Sequence, residues 1–187
     1  MPNSPANRVV EAFLEILDSN TPADTVTPDM LMQKSGVGTG VFRYHFSGTD
    51  SVAARLVENE IEKLKEMRPA ETGTKGLFEC YMSFVFEHPS AAFGLCTSSM
   101  RDIFMRYLTA AAKAVSVRAV GRVSKNSSAD DGIVLRTAEF FACGIRGMIL
   151  KAIDRGLAED TLDELTQSFD LMDRIIPLVI AEAEKTE

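Results

Sequence analysis

The chain has 187 residues and a net charge of −7, with 45% hydrophobic and 25% charged residues. Those proportions fit a globular protein with a substantial core and exclude wholesale wrapping of the chain by nucleic acid. No run approaches the ~18 apolar residues of a membrane span, and MPNSPANRVV lacks a basic stretch leading into an apolar one, so a cytoplasmic protein without leader or membrane anchor is expected.

Every long segment carries a helical period and none carries strand alternation, which predicts an all-α protein of about nine helices. Ser4-Pro5 opens the first helix, with Val9, Val10, Phe13, Leu14 and Leu17 on one face, and Asn20-Thr21-Pro22 closes it. A second helix runs from Pro28 to about Lys34, with Thr27 as its N-cap. Gly36 suits the positive φ needed to leave it sharply. A third, short helix from Thr39 to His45 follows at once, and Leu31, Val37, Val41, Phe42 and Phe46 are available to lock the two together. That is the form of a helix-turn-helix. Ser47-Gly48-Thr49 then starts a longer helix with Val52, Ala53, Leu56, Val57, Ile61 and Leu64 inward and Glu58, Glu62, Lys63 and Lys65 outward.

Arg68-Pro69 through Gly73-Thr74 reads as a linker. Beyond it, Gly76 to His88 is an almost wholly apolar helix stopped by Pro89, and Ser90 to Ser98 is looser. A long helix spans about Ser99 to Val123, and SKNSSAD from Ser124 to Asp130 is a polar connection. The helix from Gly132 to Arg155 closes at Gly156, and Thr161-Leu-Asp-Glu164 is a capping box for the last one. Val134, Ala138, Phe141, Ile145, Met148 and Ala152 repeat at alternating four and three residues, as do Leu162, Leu165, Phe169, Met172, Ile176, Val179 and Ala183. Such sustained repeats predict a dimer interface of Phe141, Ile145, Met148, Phe169, Met172 and Ile176. Gly144 and Gly147 suggest close helix approach, and Pro177 should kink the last helix or end it early.

GVGTGVFRYHF resembles the GVSxGTLYxHF signature of TetR-type transcriptional regulators, with Thr27, Leu31, Gly36, Val37, Gly40, His45 and Phe46 at matching positions. Arg8 to Leu17 is similar to the first helix of that family, and Ser47 to Val52 falls at the start of its fourth. The departures are Gly38 for a serine, Arg43 for a tyrosine, Thr49 for a phosphate-contacting lysine, and Met32 and Ser35 for alanines. The resemblance implies a DNA-binding domain over residues 1–50, a connecting fourth helix over about 50–67, and an effector-binding and dimerisation domain over 68–187. It also implies a homodimeric regulator, a repressor that a small molecule releases from operator DNA, with no cofactor.

On that reading the DNA-facing set is Thr27, Gly38, Thr39, Arg43, Tyr44, His45 and Thr49. Arg43 could take a guanine edge or a phosphate, and His45 could either orient the helix or touch the backbone. Phe84, Met100, Phe104 and Phe141 could line a pocket for an apolar or weakly polar effector, or simply be core. Residues 1–50 hold three basic against six acidic side chains, a net −3, which favours the alternative of a co-regulator acting through protein contacts. No GxSxG, HExxH or P-loop pattern appears, and Glu87 and His88, adjacent on a helix, do not face each other, so no enzyme is expected. Cys80, Cys96 and Cys143 lack metal-ligand spacing and read as buried free thiols, with no metal site.

Overall fold

The computed structural model describes residues 4–70, 73–125 and 130–184, with side chains described as far as residue 182. Among them are ten α-helices and no strand, so the all-α expectation holds. They are α1 (Pro5–Asp18), α2 (Pro28–Ser35), α3 (Thr39–His45), α4 (Thr49–Glu66), α5 (Thr74–Tyr81), α6 (Ser83–Glu87), α7 (Pro89–Cys96), α8 (Arg101–Ser124), α9 (Asp131–Asp154) and α10 (Glu159–Glu184). Parts of the expected linker (71–72) and polar connection (126–129), and the Ala183 side chain, lie outside the described residues.

The packing divides the chain differently from its order. One compact unit gathers the residues up to Lys63 with Glu87–Tyr107, and a second gathers Leu64–Phe86 with the residues from Leu108 onward. Residues 87–107 therefore leave the expected C-terminal domain. In the first unit α1 packs on α2, α3 and α7. Two polar contacts help to bind the distant segments. His88 Nδ1 meets Asp18 Oδ2 at 2.7 Å, and Asp24 Oδ1 accepts from the Ser99 amide at 3.0 Å and its hydroxyl at 2.7 Å. The Ser99 hydroxyl, and then its amide, hold the Asp24 carboxyl below its ordinary range. Phe13, Leu17 and Leu31 are buried at the centre of this unit, each stabilising it by about 1.5–3 kcal/mol.

In the second unit α10 packs against α5 and α9, and the Phe78 and Phe169 rings lie 4.5 Å apart between centroids. Thr74, earlier than the expected Gly76, starts α5 because Asp173 accepts from both its amide and its hydroxyl. The single helix expected over 76–88 breaks at Met82 (ψ 16°), giving α5 and α6. Tyr81, Met82, Phe84 and Val85 keep helical spacing through the break, so the apolar pattern could not reveal it. Pro89 ends α6 and also begins α7 where a looser segment was expected. Its fixed φ and missing N–H suit a first helical position, as at Pro5 and Pro28.

The two long repeats drift. On α9 the buried residue is Ile149 while Met148 is only half-buried, and on α10 Ile180 is buried while Val179 is 38% exposed. A straight helix turns about 20° per heptad away from a strict seven-residue repeat, so the inner stripe moves by one residue along its length. Five of the six expected interface residues (Phe141, Ile145, Phe169, Met172 and Ile176) are buried within the subunit, which corrects their assignment to a surface between copies. Gly144 and Gly147 face outward, with nothing among the described residues within 4 Å of where a Cβ would stand, so the expected close approach is not made among those residues. Helix α10 continues through Pro177 to Glu184 rather than ending early.

Helix α9 stops at Gly156 in a left-handed conformation (φ 69°), where the Leu157 amide reaches back to the Ala152 carbonyl at 2.8 Å. The capping box at Thr161 does not form, because α10 begins two residues earlier. Asp160 accepts from the Thr161 amide, and Glu164 accepts from Lys151 at 2.7 Å across to α9. That hydrogen bond, then the Lys151 charge, keeps the Glu164 carboxyl below its ordinary range, but the exposed pair adds little stability.

Ser116, on the inner face of α8 beside Val115 and Ala119, buries a hydroxyl with no partner among the described residues. A buried unsatisfied hydroxyl costs about 1–3 kcal/mol, so Ser116→Ala should stabilise the protein by about 1 kcal/mol. Thermal unfolding would read this as a higher Tm, and a lowered Tm would mean that the hydroxyl is satisfied.

Candidate functional site

The corner between α2 and α3 is built from local chemistry. The Thr27 hydroxyl accepts from the Met30 amide at 3.3 Å and caps α2, and Ser35 closes its last turn with a 2.6 Å bond to the Leu31 carbonyl. Gly36 then adopts φ 66°, and the chain reverses so that Val37 turns inward. Gly38 is the N-cap of α3 in extended conformation and, as expected for a glycine replacing a serine, supplies no capping side chain. Phe42 and Phe46 (ring centroids 5.6 Å apart) are the inward residues that hold α3.

Everything else on α3 faces out. Thr39, Gly40, Arg43, Tyr44 and His45 are exposed, as is Val41 at 43%, which corrects its expected place in the lock between the helices. Each residue advances about 100° round a helix, so with Phe42 and Phe46 inward Val41 points sideways. Tyr44 is 83% exposed, and its ring meets that of His45 edge-on at 4.9 Å. Among the described residues Arg43 makes no ion pair or hydrogen bond. Lys34 does, with Glu15 at 2.9 Å.

The start of α4 is more committed than its sequence suggests. The Thr49 hydroxyl donates to the Val26 carbonyl at 3.0 Å, so this half-buried side chain fastens α4 to the segment before α2. Ser51, absent from the expected set, accepts from the Ser47 and Gly48 amides at 3.0 and 3.2 Å and donates to the Gly48 carbonyl. These two amides are therefore engaged within the chain. The signal for Ser51 was its place at the third helical position, from which a side chain reaches back to the preceding amides.

Six of the seven residues expected to face DNA, Thr27, Gly38, Thr39, Arg43, Tyr44 and His45, are thus exposed on the α2–α3 corner, and Thr49 lies half-buried beside it. The four residues expected to line an effector pocket do not come together in one unit. Met100 and Phe104 belong to the first and Phe84 and Phe141 to the second. All four are buried, and none lines any of the four described clefts. One of those clefts, of about 230 Å³ in the second unit, is lined by Pro69, Ala70, Leu77, Arg118, Gly121, Arg122 and Lys125. Sequence reasoning missed it, because its two sides are far apart along the chain.

Outward on α9 stand Phe140 (75% exposed), Gly144 and Gly147, and outward on α10 stand Leu171 and Leu178. Cys80 and Cys143 are exposed and only Cys96 is buried, which corrects the reading of three buried thiols. No group of three or more His, Cys, Asp or Glu residues among those described could hold a metal ion. No helix among them is long and apolar enough to cross a membrane. Compared with known proteins, the chain matches no family model and no curated protein.

Proposed function

We propose that this chain is a TetR-like transcriptional regulator that binds operator DNA through α3 as a homodimer, acting as a repressor released by a small molecule. The observation that carries the reading is the presentation of α3. A two-helix corner with a left-handed Gly36 holds a short helix by Phe42 and Phe46 alone and leaves the rest of it exposed. A helix so offered can enter a major groove. The homodimer would form on the outer faces of α9 and α10, where Phe140, Leu171 and Leu178 are exposed and glycines 144 and 147 leave room for a second helix. Dimer geometry would set the spacing of two α3 helices against successive grooves about 34–36 Å apart. A small molecule, apolar or weakly polar on the sequence reading, would favour a different spacing by a coupling of about 1–3 kcal/mol.

A second reading is favoured by the net −3 of residues 1–50 and by the commitment of Thr49 to Val26. It is a TetR-like co-regulator that has lost operator binding and works through protein contacts. Gel shifts against the chain's own upstream DNA at low and high salt separate the two. With so few cations the salt slope should be shallow, since each neutralised phosphate adds about 0.9 to it. Thr49→Lys should strengthen binding to all DNA alike and steepen that slope by about 0.9. It should also weaken folding by about 1 kcal/mol through loss of the bond to Val26. If neither wild type nor Thr49→Lys shifts any DNA, the co-regulator reading stands.

A further inference from the structure

Arg118, Gly121 and Arg122, at three- and four-residue steps, share one face of α8 near its C-terminal end, and Lys125 follows directly after the helix. Opposite them in the same unit lie Pro69, Ala70 and Leu77, and the space between is the cleft of about 230 Å³. Cations in a last helical turn are often explained by the helix dipole, whose effect fades within that turn. Arg118 lies outside it and is positioned by other means. Its guanidinium sits 5.9 Å above the Tyr81 ring and donates to the Met67 carbonyl at 3.3 Å, which uses one of its five N–H groups on that carbonyl. Arg122 lies 3.6 Å from Asp173, whose carboxylate also serves Thr74. The lining thus carries three cationic side chains beside three apolar groups, with the Asp173 carboxylate next to Arg122. Gly121 keeps the floor open, for nothing among the described residues lies within 4 Å of where its Cβ would stand.

We propose that this cleft binds a small amphiphilic carboxylate. Its carboxylate would sit between the Arg118 and Arg122 guanidiniums, whose planar forks suit two oxygens, and Lys125 would stand at the mouth. Its apolar body would lie on Leu77, Pro69 and Ala70. The binding of a charged molecule departs from the apolar or weakly polar effector expected from the sequence. It does not rest on the DNA-binding reading, since the cleft is defined within the second unit.

The test is two-dimensional amide NMR of the whole protein titrated with hexanoate, with hexanol as its uncharged counterpart and with inorganic phosphate as a bare anion. Hexanoate should give saturable shifts at Leu77, Gly121 and Lys125, binding about tenfold or more tighter than hexanol or phosphate. Gly121→Met fills the cleft without changing its charge and should improve helix propensity, so it should weaken hexanoate at least about tenfold with the spectrum otherwise intact. Arg122→Gln should weaken it by a similar factor. Equal binding of hexanol would overturn the role of the cations, and equal binding of phosphate would overturn the amphiphile. Hexanoate binding that Gly121→Met leaves unchanged would overturn the site itself, as would the absence of saturable shifts at millimolar concentration.

Discussion

Arg43→Ala should abolish specific DNA binding while leaving the fold and the weak affinity for unrelated duplexes nearly intact. The side chain is exposed on α3 and, among the described residues, makes no ion pair or hydrogen bond, so its loss leaves nothing buried or unpaired. The other basic residues of the segment 1–50 are Arg8, on α1, and Lys34, already paired with Glu15. A bidentate arginine–guanine contact contributes about 1–3 kcal/mol of discrimination, and with so few cations no neighbour can replace it. Fluorescence anisotropy with the operator and a scrambled duplex should show the two affinities converging in the variant. If the variant keeps its preference for the operator, α3 reads DNA through Tyr44 and Thr39 instead, and the assignment of Arg43 fails.

Phe140→Glu should give folded monomers, whereas Ile145→Glu should unfold the subunit. The two residues sit on opposite sides of α9, one 75% exposed and the other fully buried. An unpaired carboxylate at position 145 costs several kcal/mol, a large share of the roughly 5–15 kcal/mol that holds a typical domain together. At position 140 the same charge stays in water in a single subunit and is buried only when a second copy covers it. Sedimentation and circular dichroism together would read both outcomes. A wild-type protein that is monomeric at micromolar concentration would remove the dimer from the proposal, and a Phe140→Glu variant that remains dimeric would move the interface elsewhere.

What the sequence revealed and what it hid divide along one line. Features made by neighbouring residues were legible: the caps at Ser4 and Thr27, the left-handed Gly36 and the limits of α3 all follow from residues a few positions apart. The inward lock was legible only in part, because Val41 is as apolar as Phe42 and its direction depends on which residues α1 and α2 meet. The repeats of α9 and α10 were visible, but a seven-residue period does not say whether a stripe meets its own subunit or another. The one-residue drift to Ile149 and Ile180 answers that, and it appears only in three dimensions. Hidden altogether were contacts across distance in the chain, such as Asp18 with His88, Asp24 with Ser99, and the meeting of Leu77 with the cationic face of α8.

The division of the chain at Lys63 and Glu87 also constrains how it can be made and cut. Residues 64–86 are an insertion in the first unit, which regains its own chain only at Glu87 and is complete at Tyr107. A nascent chain that has just released α4 from the ribosome still lacks α7, the helix that covers part of α1. The first unit can therefore finish folding only once Tyr107 has emerged, with a segment of the second unit already out. A fragment ending near residue 67, the natural place to isolate the α2–α3 corner, would be born with one side of α1 bare. The smallest faithful fragment of that unit would join the residues up to Lys63 to Glu87–Tyr107 by a short flexible tether, whose closure costs little entropy.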